Sequence, residues 1–263
     1  MRLELQEISC GYSRHTVVEE VSFNISSGEI MCLLGPNGSG KTTLFKSLLG
    51  LLPPRQGSIL LGGEDIRSWS RERLAQIIGY IPQSHVPPFP FKVLDVVLMG
   101  RTPHLGPLSS PGPRDRAIAR KALATLGISH LEERPYTEIS GGERQLALIA
   151  RALTQEPKVL VMDEPTTALD FGNQLLVLSH IKGLAEMGLA IIMATHFPDH
   201  ALLYGSKVLM LKEGRVYHHG PPEEVITEAS LRSLYGVEAR ILRVSFDGGK
   251  EIRVCLPLAS EKT

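Results

Sequence analysis

A chain of 263 residues, with 28 Lys plus Arg balancing 28 Asp plus Glu, suits one large α/β domain rather than two. Its zero net charge argues against a nucleic-acid binder held by bulk electrostatics. Cys10, Cys32 and Cys255 form no CxxC pair, so neither a zinc site nor a disulfide framework is suggested, and a reducing, cytoplasmic compartment fits.

In chain order, Leu3 to Ile8 and Val17 to Ile25 alternate apolar and polar residues, as does Gly57 to Leu61, which predicts an antiparallel sheet with one buried face. Met1 to Glu7 reads as part of a strand and has no apolar core of signal-peptide length. The apolar run Ile30 to Leu34 predicts a buried strand, and it leads into Gly35-Pro36-Asn37-Gly38-Ser39-Gly40-Lys41-Thr42-Thr43, a complete G-x-x-x-x-G-K-T phosphate loop. A helical pattern follows from Thr43 to Leu49 and ends at Gly50, ahead of Pro53-Pro54.

Each residue type in that loop has a physical task. Gly35, Gly38 and Gly40 are expected to take positive-φ turns and bring N–H groups close to phosphate oxygens. The helix behind them adds the positive end of its dipole. Lys41 can reach the β- and γ-phosphates, and the Thr42 hydroxyl is placed to bind the Mg²⁺ that bridges them.

From Val86 onward, Pro87-Pro88-Phe89-Pro90 and the Gly/Pro/Ser-rich stretch Leu105 to Pro113 break the chain around helices near Val93 to Met99 and Arg114 to Leu126. This predicts an inserted helical subdomain, about 86–154 when the helix after Ser140 is included. Ser140-Gly141-Gly142-Glu143 satisfies a capping box, but a cap needs no paired glycines, and Gly141 and Gly142 at a helix N-terminus suggest a second phosphate-facing surface. Val159 to Met162 predicts a buried strand that delivers Asp163, a candidate Mg²⁺ ligand, and Glu164, able to orient or deprotonate an attacking water. Leu189 to Ala194 and Val208 to Leu211 read as further parallel strands of a P-loop NTPase core. Residues 1–236 are expected to form the ATPase domain and 237–263 a short β-rich appendage. No apolar stretch approaches the roughly 18 to 20 residues that span a bilayer, so work at a membrane needs other subunits to cross it.

With these motifs in this order, the sequence resembles the ATP-binding subunits of ABC transporters over nearly all of residues 1–235. The resemblance implies that Gly35 to Thr43 is Walker A, Ser140 to Gln145 the signature and Val159 to Glu164 Walker B. It implies a D-loop at Thr167 to Asp170, the Q-loop glutamine at Gln83, a switch histidine at His196, and Tyr12 as the aromatic that stacks on adenine. Gln83 would thereby share in Mg²⁺ binding and catalysis. Read without the family, Tyr12 is a packing aromatic on a hairpin, Gln83 a solvated loop amide and His196 a core histidine. The implied cofactors are ATP and Mg²⁺. The implied partners are a second copy of the chain in a head-to-tail ATP sandwich, two permease subunits and, indirectly, a periplasmic or surface substrate-binding protein, at the cytoplasmic face of the cell membrane; nucleic acid is not among them.

Three positions depart from the family pattern. Ile139 precedes the signature where Leu is commoner, and Phe197-Pro198 follows His196 where many relatives carry an acid. His196, Asp199 and His200 also have the spacing of a metal cluster, although the nucleotide site already accounts for His196. Val96 to Leu105 resembles importers of iron chelates, haem and vitamin B12, and it places Arg101 and His104 on an expected permease-docking surface. An ordinary helix ending at Gly100 with a polar loop beyond is the alternative reading of that segment. An importer of molybdate, tungstate or another oxyanion, or a soluble ABC ATPase without transport, is the alternative for the whole chain.

Overall fold

The computed structural model describes residues 1–83, 89–106, 108–245 and 251–258. The expected start of the insert at Val86, with Pro87, Pro88 and Pro107, and parts of the expected appendage (246–250 and 259–263) lie outside the described residues. The chain runs through β1 (Arg2–Tyr12), β2 (His15–Ser26), β3 (Ile30–Leu34), α1 (Lys41–Leu48), β4 (Gln56–Leu61), β5 (Glu64–Asp65), α2 (Arg71–Ile77) and β6 (Ile78–Ile81). It continues through α3 (Val93–Leu98), α4 (Pro113–Thr125), α5 (Gly141–Leu153), β7 (Val159–Asp163), α6 (Phe171–Glu186), β8 (Ala190–Thr195) and α7 (Pro198–Tyr204). The last elements are β9 (Lys207–Lys212), β10 (Arg215–Gly220), α8 (Pro222–Val225), α9 (Glu228–Tyr235), β11 (Ala239–Ser245) and β12 (Glu251–Pro257).

Strands β2-β1-β4-β5 form an antiparallel sheet in which Leu3 faces Ile25 and Leu61, and Leu5 faces Phe23 and Ile59. A six-stranded sheet has the order β10-β9-β3-β8-β7-β6, parallel except where β10 turns back on β9. Every residue of β3 is buried. Met31 and Leu33 point into the core shared with α1 and the antiparallel sheet, while Ile30, Cys32 and Leu34 point into the core under the helices. A strand with two apolar faces belongs in the middle of a sheet, so the loop that follows β3 emerges where the strand order reverses, the usual ligand crevice of open α/β sheets. β6 and β10 had no counterpart among the expected strands: β6 is four residues long and contains Gly79, and β10 carries the polar Arg215, His218 and His219 on an edge.

The segment after α3 does not follow the alternative reading of a helix ending at Gly100 with a polar loop beyond, because a 3₁₀ turn continues from Met99 to His104. It lies hard against the C-terminal end of α5, and a Cβ at Gly100 would fall 1.9 Å from the Arg151 carbonyl oxygen. Arg101 is not a docking residue at an open surface, since it is only 5% exposed. Its Nε donates to Asp115 at 2.8 Å and an Nη donates to the Thr154 carbonyl at 2.6 Å and to Glu156 at 2.9 Å. His104 is exposed and its Nε2 lies 2.9 Å from the Gln155 carbonyl oxygen. Arg101→Ala is therefore expected to destabilise the fold by about 1 to 3 kcal/mol, less than for a fully buried pair because the Asp115 and Glu156 side chains keep 14% and 58% exposure. Urea unfolding checks this, and an unchanged midpoint would refute it.

Candidate active site

The phosphate loop is shaped by contact with its neighbours. Gly38 and Gly40 take left-handed φ of 78° and 104° as expected, but Gly35 does not. Gly35 is required for room, because a Cβ there would lie 2.4 Å from the Leu211 carbonyl oxygen at the end of β9. The turn after β9 backs the loop: the Gly214 N–H donates to the Ser39 carbonyl at 3.2 Å, and its own carbonyl accepts from the Glu19 N–H at 2.8 Å. Lys41, on the first residue of α1, is 6% exposed and donates to the Gly35 and Pro36 carbonyls at 2.6 and 3.1 Å. Burial lowers the pKa of its ammonium, and the charges of Glu164 and Asp163 oppose that shift.

The end of β7 brings two buried carboxylates to this loop. The Thr42 hydroxyl donates to Asp163 at 3.2 Å. Burial, more than any other cause, holds the Asp163 carboxyl above the usual carboxylate range; the hydrogen bond from Thr42 opposes it and the charge of Glu164 adds to it. Glu164 sits at a left-handed φ of 52°, a strained backbone for a non-glycine residue and of the kind that concentrates at functional sites. One carboxylate oxygen accepts from Gln83 at 2.8 Å and from Thr167 at 3.1 Å, and the other pairs with Nε2 of His196. Both oxygens are thus oriented by side chains from three separate loops.

A cleft of about 340 Å³ is lined by Val17, Asn37, Gly38, Ser39, Gly40, Lys41, Thr42, Thr43, Gln83 and Glu164. Tyr12 stands on an exposed flank with its hydroxyl 3.1 Å from Lys46 Nζ, and Arg55 braces the turn beneath it through the Ser13 carbonyl and the Thr16 hydroxyl. Ser140, Gly141 and Gly142 do not line the cleft. Ser140 and Glu143 form the capping box, and Gly142 meets the start of α6 so closely that a Cβ would fall 2.2 Å from Asn173 Oδ1. Asp170 caps α6 by accepting from the Asn173 N–H at 2.8 Å. The signature and the D-loop therefore lie side by side.

The spacing of His196, Asp199 and His200 does not make a cluster. His196 meets Glu164, Nδ1 of His200 lies 3.0 Å from the Thr195 hydroxyl, and Asp199 accepts from the Cys255 N–H. Sequence reasoning missed Val17 as a lining residue, Thr167 as a donor to Glu164 and Lys46 as the partner of Tyr12. Only Lys46 carried a signal, since it lies one helical turn beyond Thr42.

A doubly sided α/β core with a phosphate loop, paired carboxylates at a strand end and a cleft between them defines a nucleotide-hydrolysing P-loop protein. The ABC transporter family profile matches residues 18–167, and the chain belongs to this family as an ATP-binding, ATP-hydrolysing subunit. It is similar to the hemin import ATP-binding protein HmuV of Gloeobacter violaceus, 36% identical over 86% of this chain and 84% of that one. It is also similar to the molybdate import ATP-binding protein MolC of Haemophilus influenzae, 37% identical over 82% of this chain and 81% of that one. A solved inward-facing structure ascribed to the metal-chelate type of ABC transporter has a TM-score of 0.87 and 32% identity, covering 98% of both chains.

Lys41 and Glu164 are expected to separate binding from chemistry. Lys41→Ala should weaken nucleotide binding and hydrolysis together. Glu164→Gln should keep ATP affinity while turnover falls by about 10²- to 10³-fold, the usual effect of removing one positioned transition-state group. Equilibrium binding of a fluorescent ATP analogue beside a phosphate-release assay reads both quantities, and near-normal turnover in Glu164→Gln would rule out the role of Glu164.

Proposed function

We propose that the chain energises a membrane importer, and that the observation carrying the chemistry is the Glu164 carboxylate held beside the phosphate loop by Gln83, Thr167 and His196. Lys41 and the loop amides bind the phosphates, Tyr12 stacks on the adenine, Glu164 orients and deprotonates the attacking water, and His196 and Gln83 fix the carboxylate that does so. The Thr42 hydroxyl and the Asp163 carboxylate form an oxygen donor set that suits Mg²⁺, with Gln83 close by. When bound, the ion would supply charge neutralisation between the β- and γ-phosphates.

Ser140 and Gly141 are exposed at the start of the signature, which lies apart from the cleft of its own chain and favours completion of each ATP site by Ser140, Gly141, Gly142 and Asp170 of a second copy. Closing and opening of such a dimer would move the helical subdomain against two permease subunits at the cytoplasmic face of the membrane. A groove of about 480 Å³ lined by residues including Asp95, Met99, Thr102, Leu105 and Arg116 supports that docking. No described helix is long and apolar enough to cross a membrane. A metal chelate (an iron–siderophore, haem or cobalamin) is the cargo class favoured by the Val96 to Leu105 segment, by the hemin import relative and by the metal-chelate-type structure, with a substrate-binding protein delivering it. The molybdate import relative favours an oxyanion as the second reading.

A mixed dimer tests the composite geometry. One chain carrying Lys41→Ala and another carrying Ser140→Arg place both defects in one site, so hydrolysis should partly return on mixing. No recovery would show that the signature acts within its own chain. Cargo is tested in a strain deleted for the gene. Loss of iron-chelate, haem or cobalamin uptake is expected, whereas normal uptake of all three with lost molybdate uptake would establish the second reading.

A further inference from the structure

The C-terminal hairpin carries no chemistry of its own, yet it touches the element that follows His196. Among the described residues β12 pairs only with β11, and it packs along α7, while β11 packs against α9. At the free edge of β12 the Cys255 N–H donates to Asp199 Oδ1 at 2.6 Å. Asp199 stands in the first turn of α7, where an acid ordinarily serves the N–H groups of its own helix. Here its carboxylate is turned outward to another strand, and α7 has no side-chain cap.

The loop carrying His196 is short and pinned from both sides. Upstream, the Thr195 hydroxyl accepts from the Phe197 N–H at 3.2 Å and lies 3.0 Å from Nδ1 of the buried His200. The Phe197 ring rests on the His200 ring with centroids 4.8 Å apart. Downstream, the link from Asp199 to Cys255 ties the same turn to the hairpin, and Ile241 and Cys255 pack onto the main core.

We propose that Asp199 is a positioning residue for His196: held by the backbone of the C-terminal hairpin, it fixes the start of α7 and, through it, the imidazole that meets Glu164. The residues beyond Gly236 thereby join the catalytic machinery without touching nucleotide. This rests on the role given to His196 above. A misplacement of about 1 Å in a catalytic group can cost on the order of 10²-fold, so a loosened switch loop should appear in turnover and not in binding.

The test uses the full chain and four variants: Asp199→Ala, Asp199→Asn, His196→Ala and the His196→Ala/Asp199→Ala double. Asp199→Ala is expected to lower kcat roughly 10- to 100-fold with KM for ATP and the Kd of a fluorescent ATP analogue unchanged. Asp199→Asn keeps an oxygen to accept from Cys255 and should retain most of the rate. The double variant should be no slower than His196→Ala, since residues acting through one group do not add. A further loss of the same factor in the double variant, or a full rate in Asp199→Ala beside a crippled His196→Ala, would overturn the positioning role alone. A normal rate in His196→Ala would overturn the reading of His196 and the positioning role with it.

Discussion

β3 is apolar on both faces, and a five-residue strand with nothing polar to offer water can sit only between two others and between two layers. β8 and β9 flank it, the antiparallel sheet and α1 cover one face, and the helical side covers the other. That burial delivers the phosphate loop to the strand-order reversal. It also sets β7 and β8 in register, so that Asp163 lies beside Ala194 and the Glu164 N–H donates to the Ala194 carbonyl. Walker A, the two carboxylates and His196 converge because three strand ends do.

The charges assembled there are held at a cost. Lys41, Asp163 and Glu164 are each under a tenth exposed, and burial works against every charged form. The three groups offset this by pairing: Lys41 with carbonyls of its own loop, Asp163 with Thr42, and Glu164 with Gln83, Thr167 and His196. Glu164 adds a left-handed backbone that only the surrounding contacts can maintain. The site is preorganised by the same hydrogen bonds that make its burial tolerable.

Much of this was legible before any coordinates. The antiparallel strands alternate, the phosphate loop is a continuous motif, and Val159 to Glu164 is an apolar run ending in two acids, so local pattern and tertiary role agree. β6 and β10 were not legible because a short glycine-containing strand and a polar edge strand carry no periodicity. Gln83 and His196 had meaning only through the family resemblance, since nothing near them in sequence announces Glu164. Gly35 was assigned to the right loop for the wrong reason, because the carbonyl that crowds it comes from Leu211. Arg101 misled for a related cause: a charged residue in a polar-looking stretch reads as exposed until Asp115 and Glu156, 14 and 55 residues onward, are seen to enclose it.

The three unpaired thiols differ in what can reach them. Cys10 and Cys32 are fully buried, and burial pushes the Cys32 thiol up to about 12, which leaves it almost no thiolate to react. Cys255 is part-exposed on the hairpin, with its backbone amide bound to the turn behind His196. Burial and the nearby Asp199 charge raise the Cys255 thiol as well, so it is access alone that makes it the preferred attachment point for a thiol-directed fluorophore. A dye placed there would sit where movement of the switch loop changes its surroundings, so nucleotide-driven rearrangement could be followed without removing any native cysteine.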